Sequence, residues 1–294
     1  MLRHTFSHLQ GIGPTTEFRL WESGLTTWDE VTDFPHLLPK RLDSLPRLVE
    51  ESRQQLVDGN IRWFLDGLAS SESWRVWSEL AGETAYVDIE TDGLSHTRGG
   101  AITTICLWDG ENLKTYVQGE NLRNFIDDLH DYRMIVTYNG SSFDVPFIES
   151  WFNEQISIGH VDVRHPLASL GITGGLKECE RKLGLDRGEL ADVDGMFAVH
   201  LWRDFLATGR IESRDTLLAY NALDAINLAP LMGHAYNGKL ADTPFDPFLR
   251  VAVPEPQPRS VPAAHPNIIE EIRTRLEERH DEMRAFARDL LGPR

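Results

Sequence analysis

Four acids and one tyrosine carry most of the chemistry legible in this chain: Asp88 and Glu90 in YVDIETDG, Asp144 in YNGSSFD, and Tyr220 with Asp224 in YNALD. They fall in three segments that an α/β domain would bring to one place. Several carboxylates at one site stay ionised side by side only with a cation among them. Hard oxygen ligands suit magnesium or manganese. A carboxylate-held pair of such ions is the usual machinery for cutting phosphodiesters, and that is the chemistry to expect here.

Each segment is weak alone. On a strand, side chains alternate, so Asp88 and Glu90 share one face while Val87 and Ile89 turn to the other and a core. Two acids on one face of a buried strand are costly without a cation. Asp-x-Glu also recurs by chance, usually on a solvated edge. In the second segment the apolar run 134–136 leads into Asn139-Gly140, a turn signal. A helical pattern follows, which places Asp144 near a helix start at a strand end, a common place for active-site groups; an aspartate there could equally just favour the helix dipole. The third segment says most. At 3.6 residues per turn, Tyr220, Asn221, Asp224 and Asn227 form one polar sector of a helix whose remaining circumference is apolar. No lysine, arginine or glutamate decorates that stripe, as on an ordinary surface helix. Tyr220 and Asp224 lie one turn apart. A tyrosine bonded to a structural aspartate is the competing reading.

The elements that must position these residues follow from the pattern. Residues 1–40 read as a small helical unit: Gly11-Ile12-Gly13 forms a hairpin, Pro14 suits a first turn, and Gly24 suits a C-cap. Residues 41–83 form a helical connector with an intermittent apolar face. From 84 to 236 the pattern changes. Residues 86–89, 102–108, 113–117 and 134–138 read as strands, with an edge strand near 161–163. Helices are expected over 121–130, 144–152, 176–183 and 196–206, and from Ser213 as N-cap through 228. This is an α/β layer architecture. Residues 237–266 are proline-rich and read as an extended linker. Residues 267–294 form a charged helix with a seam of Ile269, Ile272, Leu276, Met283, Phe286 and Leu290, interrupted by Arg279; it docks on its own domain or on a partner helix.

DIET, N-x-x-x-F-D and Y-x-x-x-D, in this order and spacing, resemble the three exonuclease motifs of the DEDD superfamily. Tyr220 resembles the mark of its DEDDy subgroup. The flanking HLQGIGPTTEFRLWESG, HVDVRHP and GGLKECERKLGL are similar to the YprB-like group, so the resemblance covers most of residues 5–235. It implies a ribonuclease H-like mixed sheet flanked by helices and a 3′–5′ exonuclease acting on DNA or RNA. It also implies two Mg2+ or Mn2+ ions: Asp88 bridging both, Glu90 and Asp224 completing the site for the attacking water, Asp144 holding the second ion through water, and Tyr220 orienting the water. A non-catalytic nucleic-acid-binding scaffold and an endonuclease of the same fold are the alternatives.

Other residues carry two readings. Gly11 and Gly13, in a helix-hairpin-helix-like element, offer backbone N–H groups to a phosphate or serve packing and protein contact. Lys177, after Gly174-Gly175, reaches a phosphate or is a solvated helix-start lysine. Thr91 and Asn139 are candidate nucleic-acid contacts, and Thr91 with Asp92 borders the terminal nucleotide. Asp162 assists the metal site or caps a turn. The formal charge of −17 argues against a generally basic, nucleic-acid-coating surface, though a local arginine groove can act against it. Cys106 and Cys179 form no metal pattern, and Cys106 reads as a core thiol. No apolar run approaches a membrane span and the first residues lack a signal-peptide core, so a cytoplasmic protein with no membrane partner is expected, with protein contacts through the N-terminal unit or C-terminal helix.

Overall fold

The computed structural model describes residues 1–33 and 42–291, the side chains of 32 and 285–291 excepted. The N-terminal unit holds α1 (Pro14–Glu22), α2 (Trp28–Asp33), α3 (Leu45–Val57) and α4 (Ile61–Gly67), followed by 3-10 turns. Only a three-residue 3-10 turn, Leu2–His4, precedes the Gly11–Gly13 hairpin, so among the described residues one α-helix flanks it where a helix-hairpin-helix needs two. The hairpin is held from behind. Buried Glu17 accepts from the N–H groups of Phe6 (2.6 Å) and Ser7 (3.0 Å) and pairs with Arg75 at 3.0 Å.

The sheet contains β1 (Thr84–Thr91), β2 (Ile102–Trp108), β3 (Leu113–Val117), β4 (Met134–Thr137) and β5 (Gly159–Asp162), in the order β3-β2-β1-β4-β5. The β3-β2-β1 half is antiparallel, and β4 and β5 join in parallel. The helices are α5 (Asn124–Leu129), α6 (Asp144–Phe152), α7 (Arg164–Ser169), α8 (Leu176–Leu183), α9 (Gly195–Thr208), α10 (Ile211–Leu240), α11 (Asp246–Leu249) and α12 (Pro266–Leu291). The result is the expected mixed sheet flanked by helices, a ribonuclease H-like α/β fold.

Alternation along β1 separates two cores. Ala85, Val87 and Ile89 pack with Phe125, Phe147 and Ile148 of α5 and α6. Tyr86, on the opposite face, joins Cys106, Val136, Ala222, Ala225 and Ala229 of α10 and the N-terminal unit in one continuous cluster. The Trp77 indole donates to the Tyr86 hydroxyl at 2.9 Å, tying that unit to the central strand.

Helix α10 departs from expectation. It begins at Ile211, with Arg210 as its N-cap, and runs 30 residues through Pro230. Ser213 is therefore not a cap; its hydroxyl donates to Asp204 at 2.6 Å. The helix thus continues four residues into the stretch expected to be a linker from 237. Leu231, Met232, Ala235, Tyr236 and Leu240 are all buried. Tyr236 lies edge-on to Trp74 at 5.4 Å. That packing extends the helix past the proline, whose missing N–H would otherwise end it. The proline-rich stretch after α11 is extended but docked: Asn237 exchanges two hydrogen bonds with the Val251 backbone, at 2.8 and 3.0 Å.

Helix α12 lies on its own domain. Ile268, Ile269 and Ile272 join Trp202, Leu217 and Leu218 in a third cluster, with Leu276 at its margin. The seam fades beyond that turn, where Met283 is 58% exposed; the Phe286 and Leu290 side chains lie outside the described residues. No described helix is long and apolar enough to cross a membrane.

Candidate active site

Strand β1 delivers Asp88 and Glu90 to the face that α10 covers, and α10 delivers Asp224 against them. One carboxylate oxygen from each lies within 4.8 Å of the others. The strand is irregular here: the β1–β2 register shifts between Glu90 and Thr91. Such bulges re-aim side chains beside active sites. Asn221 fastens the helix to the strand. Its amide donates to the Asp88 backbone carbonyl (3.0 Å) and to Asp88 Oδ2 (2.7 Å), while its own oxygen accepts from Thr104 Oγ1 at 2.9 Å.

Asp144 starts α6 and lines the same cavity of about 500 Å³, as do Thr91, Asn139, Tyr220 and the triad. It stands outside the 4.8 Å group. The turn before it is tightly specified. Asn139 sits at φ 63°, a left-handed conformation that asparagine tolerates. A Cβ on Gly140 would meet Thr137 Oγ1 at 2.0 Å. Buried Asp162 accepts from the N–H groups of Asn139 (2.8 Å), Ser141 (3.1 Å) and Arg164 (3.2 Å), which gives it a turn-capping role.

The electrostatics are those of an acid cluster with too little positive charge. Burial, then the charges of Asp224 and Asp144, push Asp88 and Glu90 well above the usual carboxylate range. Burial takes Asp144 up to about 7. Asp224 rises to about 6, burial outweighing the relief from Arg187. Tyr220 is raised too, first by burial and then by Asp224, so its phenol keeps its proton. The donors are all hard oxygens, and their mutual repulsion is what a divalent cation relieves; the site fits magnesium or manganese.

The sequence reading missed Arg187. It is buried, pairs with Asp224 through Nη2, and reaches Glu180 through Nη1 at 2.5 Å. Glu180 also accepts from Asn227 at 2.8 Å. Burial opposes the Arg187 charge, but Asp224 and Glu180 outweigh it and hold the guanidinium above its ordinary range. Its guanidinium lies 5.3 Å from the Tyr220 ring centre. The only sequence signal was indirect: a helix carrying Asp224 and Asn227 on a buried face needs polar partners from elsewhere.

Lys177 does not line the cavity. It donates to the carbonyls of Ala191 (3.2 Å) and Val193, and its ammonium lies 5.8 Å from the Tyr220 ring centre. Gly11 and Gly13 are exposed on the N-terminal unit, away from the cavity lining.

The family model of the RNase_H superfamily matches residues 85–236, more than half of the chain. The chain belongs to the RNase_H superfamily. The matched span contains all five motif residues and ends inside α10. Membership of this superfamily suggests an enzyme acting on nucleic acids. Among solved structures, the family B DNA polymerase from the hyperthermophilic archaeon Pyrobaculum calidifontis is similar at 14% identity, with a TM-score of 0.35 over 54% of this chain and 29% of that one. The chain thus spans under a third of that polymerase. No curated protein matches it.

Proposed function

We propose that this RNase_H superfamily protein is a 3′–5′ exonuclease of the DEDDy type, YprB-like in its flanking motifs, releasing 5′-mononucleotides from DNA or RNA. The observation that supports this most is the meeting of Asp88, Glu90 and Asp224 oxygens within 4.8 Å, with Tyr220 one turn away on the same buried helix. Asp88, Glu90 and Asp224, with Asp144 at the cavity wall, would hold two Mg2+ or Mn2+ ions. Such ions supply Lewis-acid polarisation of the phosphoryl group and a lowered pKa for an attacking water.

The protein's own residues do the positioning. Asn221 holds Asp88 Oδ2 and Arg187 holds Asp224 Oδ1, so each carboxylate presents a fixed remaining oxygen. Tyr220 would orient a water as a hydrogen-bonding hydroxyl. Thr91 and Asn139 stand on the cavity wall where a terminal nucleotide would rest. Lys177 is a positioning residue for the Tyr220 ring and the loop at 191–193.

The test is degradation of end-labelled single strands, duplexes and RNA with magnesium or manganese, beside Asp88→Ala and Asp224→Asn. Mononucleotides released from the 3′ end by the parent, and not by the variants, are expected. Internal fragments would instead identify an endonuclease, and binding without cutting a scaffold.

A further inference from the structure

A second cavity, of about 260 Å³, lies between α9 and α12; His200, Arg203, Arg275 and Arg279 line it, with Ile272 and Leu276 beneath. Ile272, Arg275, Leu276 and Arg279 follow i, i+3, i+4, i+7 spacing, so one face of α12 supplies both floor and charges. Arg279, which breaks the apolar seam of that helix, turns out to be a wall of this groove.

Helix α9 is the shared wall of groove and acidic cavity. Met196 and Val199 line the acidic cavity. His200 and Arg203, one turn further on, line the groove. The Arg203 guanidinium donates to the carbonyl of Asp92 at 3.5 Å, on the loop that leaves β1 just after Glu90 and Thr91. At 1.5 Å rise per residue, Met196 to Arg203 spans about 10 Å. That is about three nucleotides of a stacked strand, at the ~3.4 Å per residue that stacking gives.

Two of the groove's three arginines, Arg203 and Arg279, keep their charge in a chain of net charge −17. The groove's one acid, Asp204, is buried and already engaged by Arg210 (2.7 and 3.0 Å), Ser213 (2.6 Å) and Arg275 (2.8 Å). Among the described residues, neither Arg203 nor Arg279 has a carboxylate within ion-pair distance. Among the described residues no ring but the His200 imidazole lines the groove, so these residues offer charge to a backbone rather than a platform to a base.

We infer that the α9–α12 groove is a phosphate-binding track for a nucleic-acid strand whose end lies in the acidic cavity. This rests on the nuclease reading for its direction, and one wall of the site, that of α12, lies outside the 85–236 span of the family match. The contact is to phosphodiester oxygens, through Arg203 and Arg279, and is indifferent to sequence.

The test uses the full chain with Arg203→Gln and Arg279→Gln combined, beside the lysine pair Arg203→Lys and Arg279→Lys. Binding of long single strands, DNA and RNA, is measured in calcium across a salt series. The glutamine pair is expected to bind about ten-fold more weakly and to lower the salt slope by about 0.7 per arginine removed, with the lysine pair near the parent. Hydrolysis of a minimal substrate, the p-nitrophenyl ester of thymidine 5′-monophosphate, should be unchanged, since it does not reach the groove. Unchanged strand affinity and salt slope in the glutamine pair overturn the groove. Loss of polyglutamate binding with strand binding intact also overturns it, in favour of an acidic protein partner. A parent inert on every substrate sinks the nuclease reading, while the binding series still judges the groove.

Discussion

Two aspartate sites in this molecule are equally shielded from solvent and opposite in character. Asp204 and Asp224 are each 4% exposed. Around Asp204, two arginines and a serine hydroxyl outweigh the burial that would raise it, and its carboxyl falls to about 2. Around Asp224, burial outweighs the relief from one arginine, Glu180 adds to the rise, and the carboxyl climbs to about 6. The first site is electrostatically finished; its charges cancel within the fold and hold α9, α10 and α12 together. The second is left short of positive charge. Solvent exposure and residue type do not separate a structural acid from one prepared for a cation. The depth of the carboxylate and the counter-charges within reach do.

That contrast breaks most sharply under substitution. Asp88→Ala should lower metal-dependent cleavage by on the order of 10³-fold, about 4 kcal/mol of barrier, while the metal-free protein melts at or above the parent temperature because one repelling charge is gone. A clear fall in metal-free melting temperature would make Asp88 a structural acid like Asp204. Arg187→Met should be the largest loss of stability, roughly 3 kcal/mol, since it leaves Glu180 and Asp224 buried without a cation; denaturant titration measures it, and added manganese should recover part of it. Asp204→Asn should lose about 1–3 kcal/mol by stranding donors from Arg210, Ser213 and Arg275, with cleavage of the minimal substrate per folded molecule unchanged. Loss of that cleavage would join the two sites functionally and end the distinction.

Much of this site could be read before any coordinates. The alternation of β1 told which face Asp88 and Glu90 share. The stripe of Tyr220, Asn221, Asp224 and Asn227 on an apolar helix pointed to a buried polar face. Helices α6 and α8 have the bounds expected, 144–152 and 176–183. What escaped lacks a period. Arg187 is a lone arginine in a loop, and only tertiary packing turns it toward Asp224. Helix α7, six residues with Pro166 inside, is too short to show an amphipathic pattern. The run of α10 past Pro230 is set by Trp74 and Trp77, which lie far away in sequence. The bulge after Glu90 depends on pairing with β2 and leaves no local mark.

The smallest expected effect is that of pH. Asp144 and Asp224 titrate near 7 and 6 when folded and near ~4 in an unfolded chain. Between those values the folded state binds more protons than the unfolded one, so stability falls as pH rises through 6 and 7. Asp204 runs the other way: its folded value of about 2 stabilises the protein above ~4 and is lost only as pH falls toward 2. In EDTA the melting temperature should therefore drop between about pH 5 and 8. Because the acids are coupled, so that one proton relieves several, roughly 1 kcal/mol is expected, or 2–4 °C for a chain of this size. Asp144→Asn should flatten that slope, and manganese at the alkaline end should reverse it by binding the ionised cluster. A melting temperature that is level or rising across this range in EDTA would mean that the cluster is already neutralised from within, and that the acidic cavity is as finished as the Asp204 site.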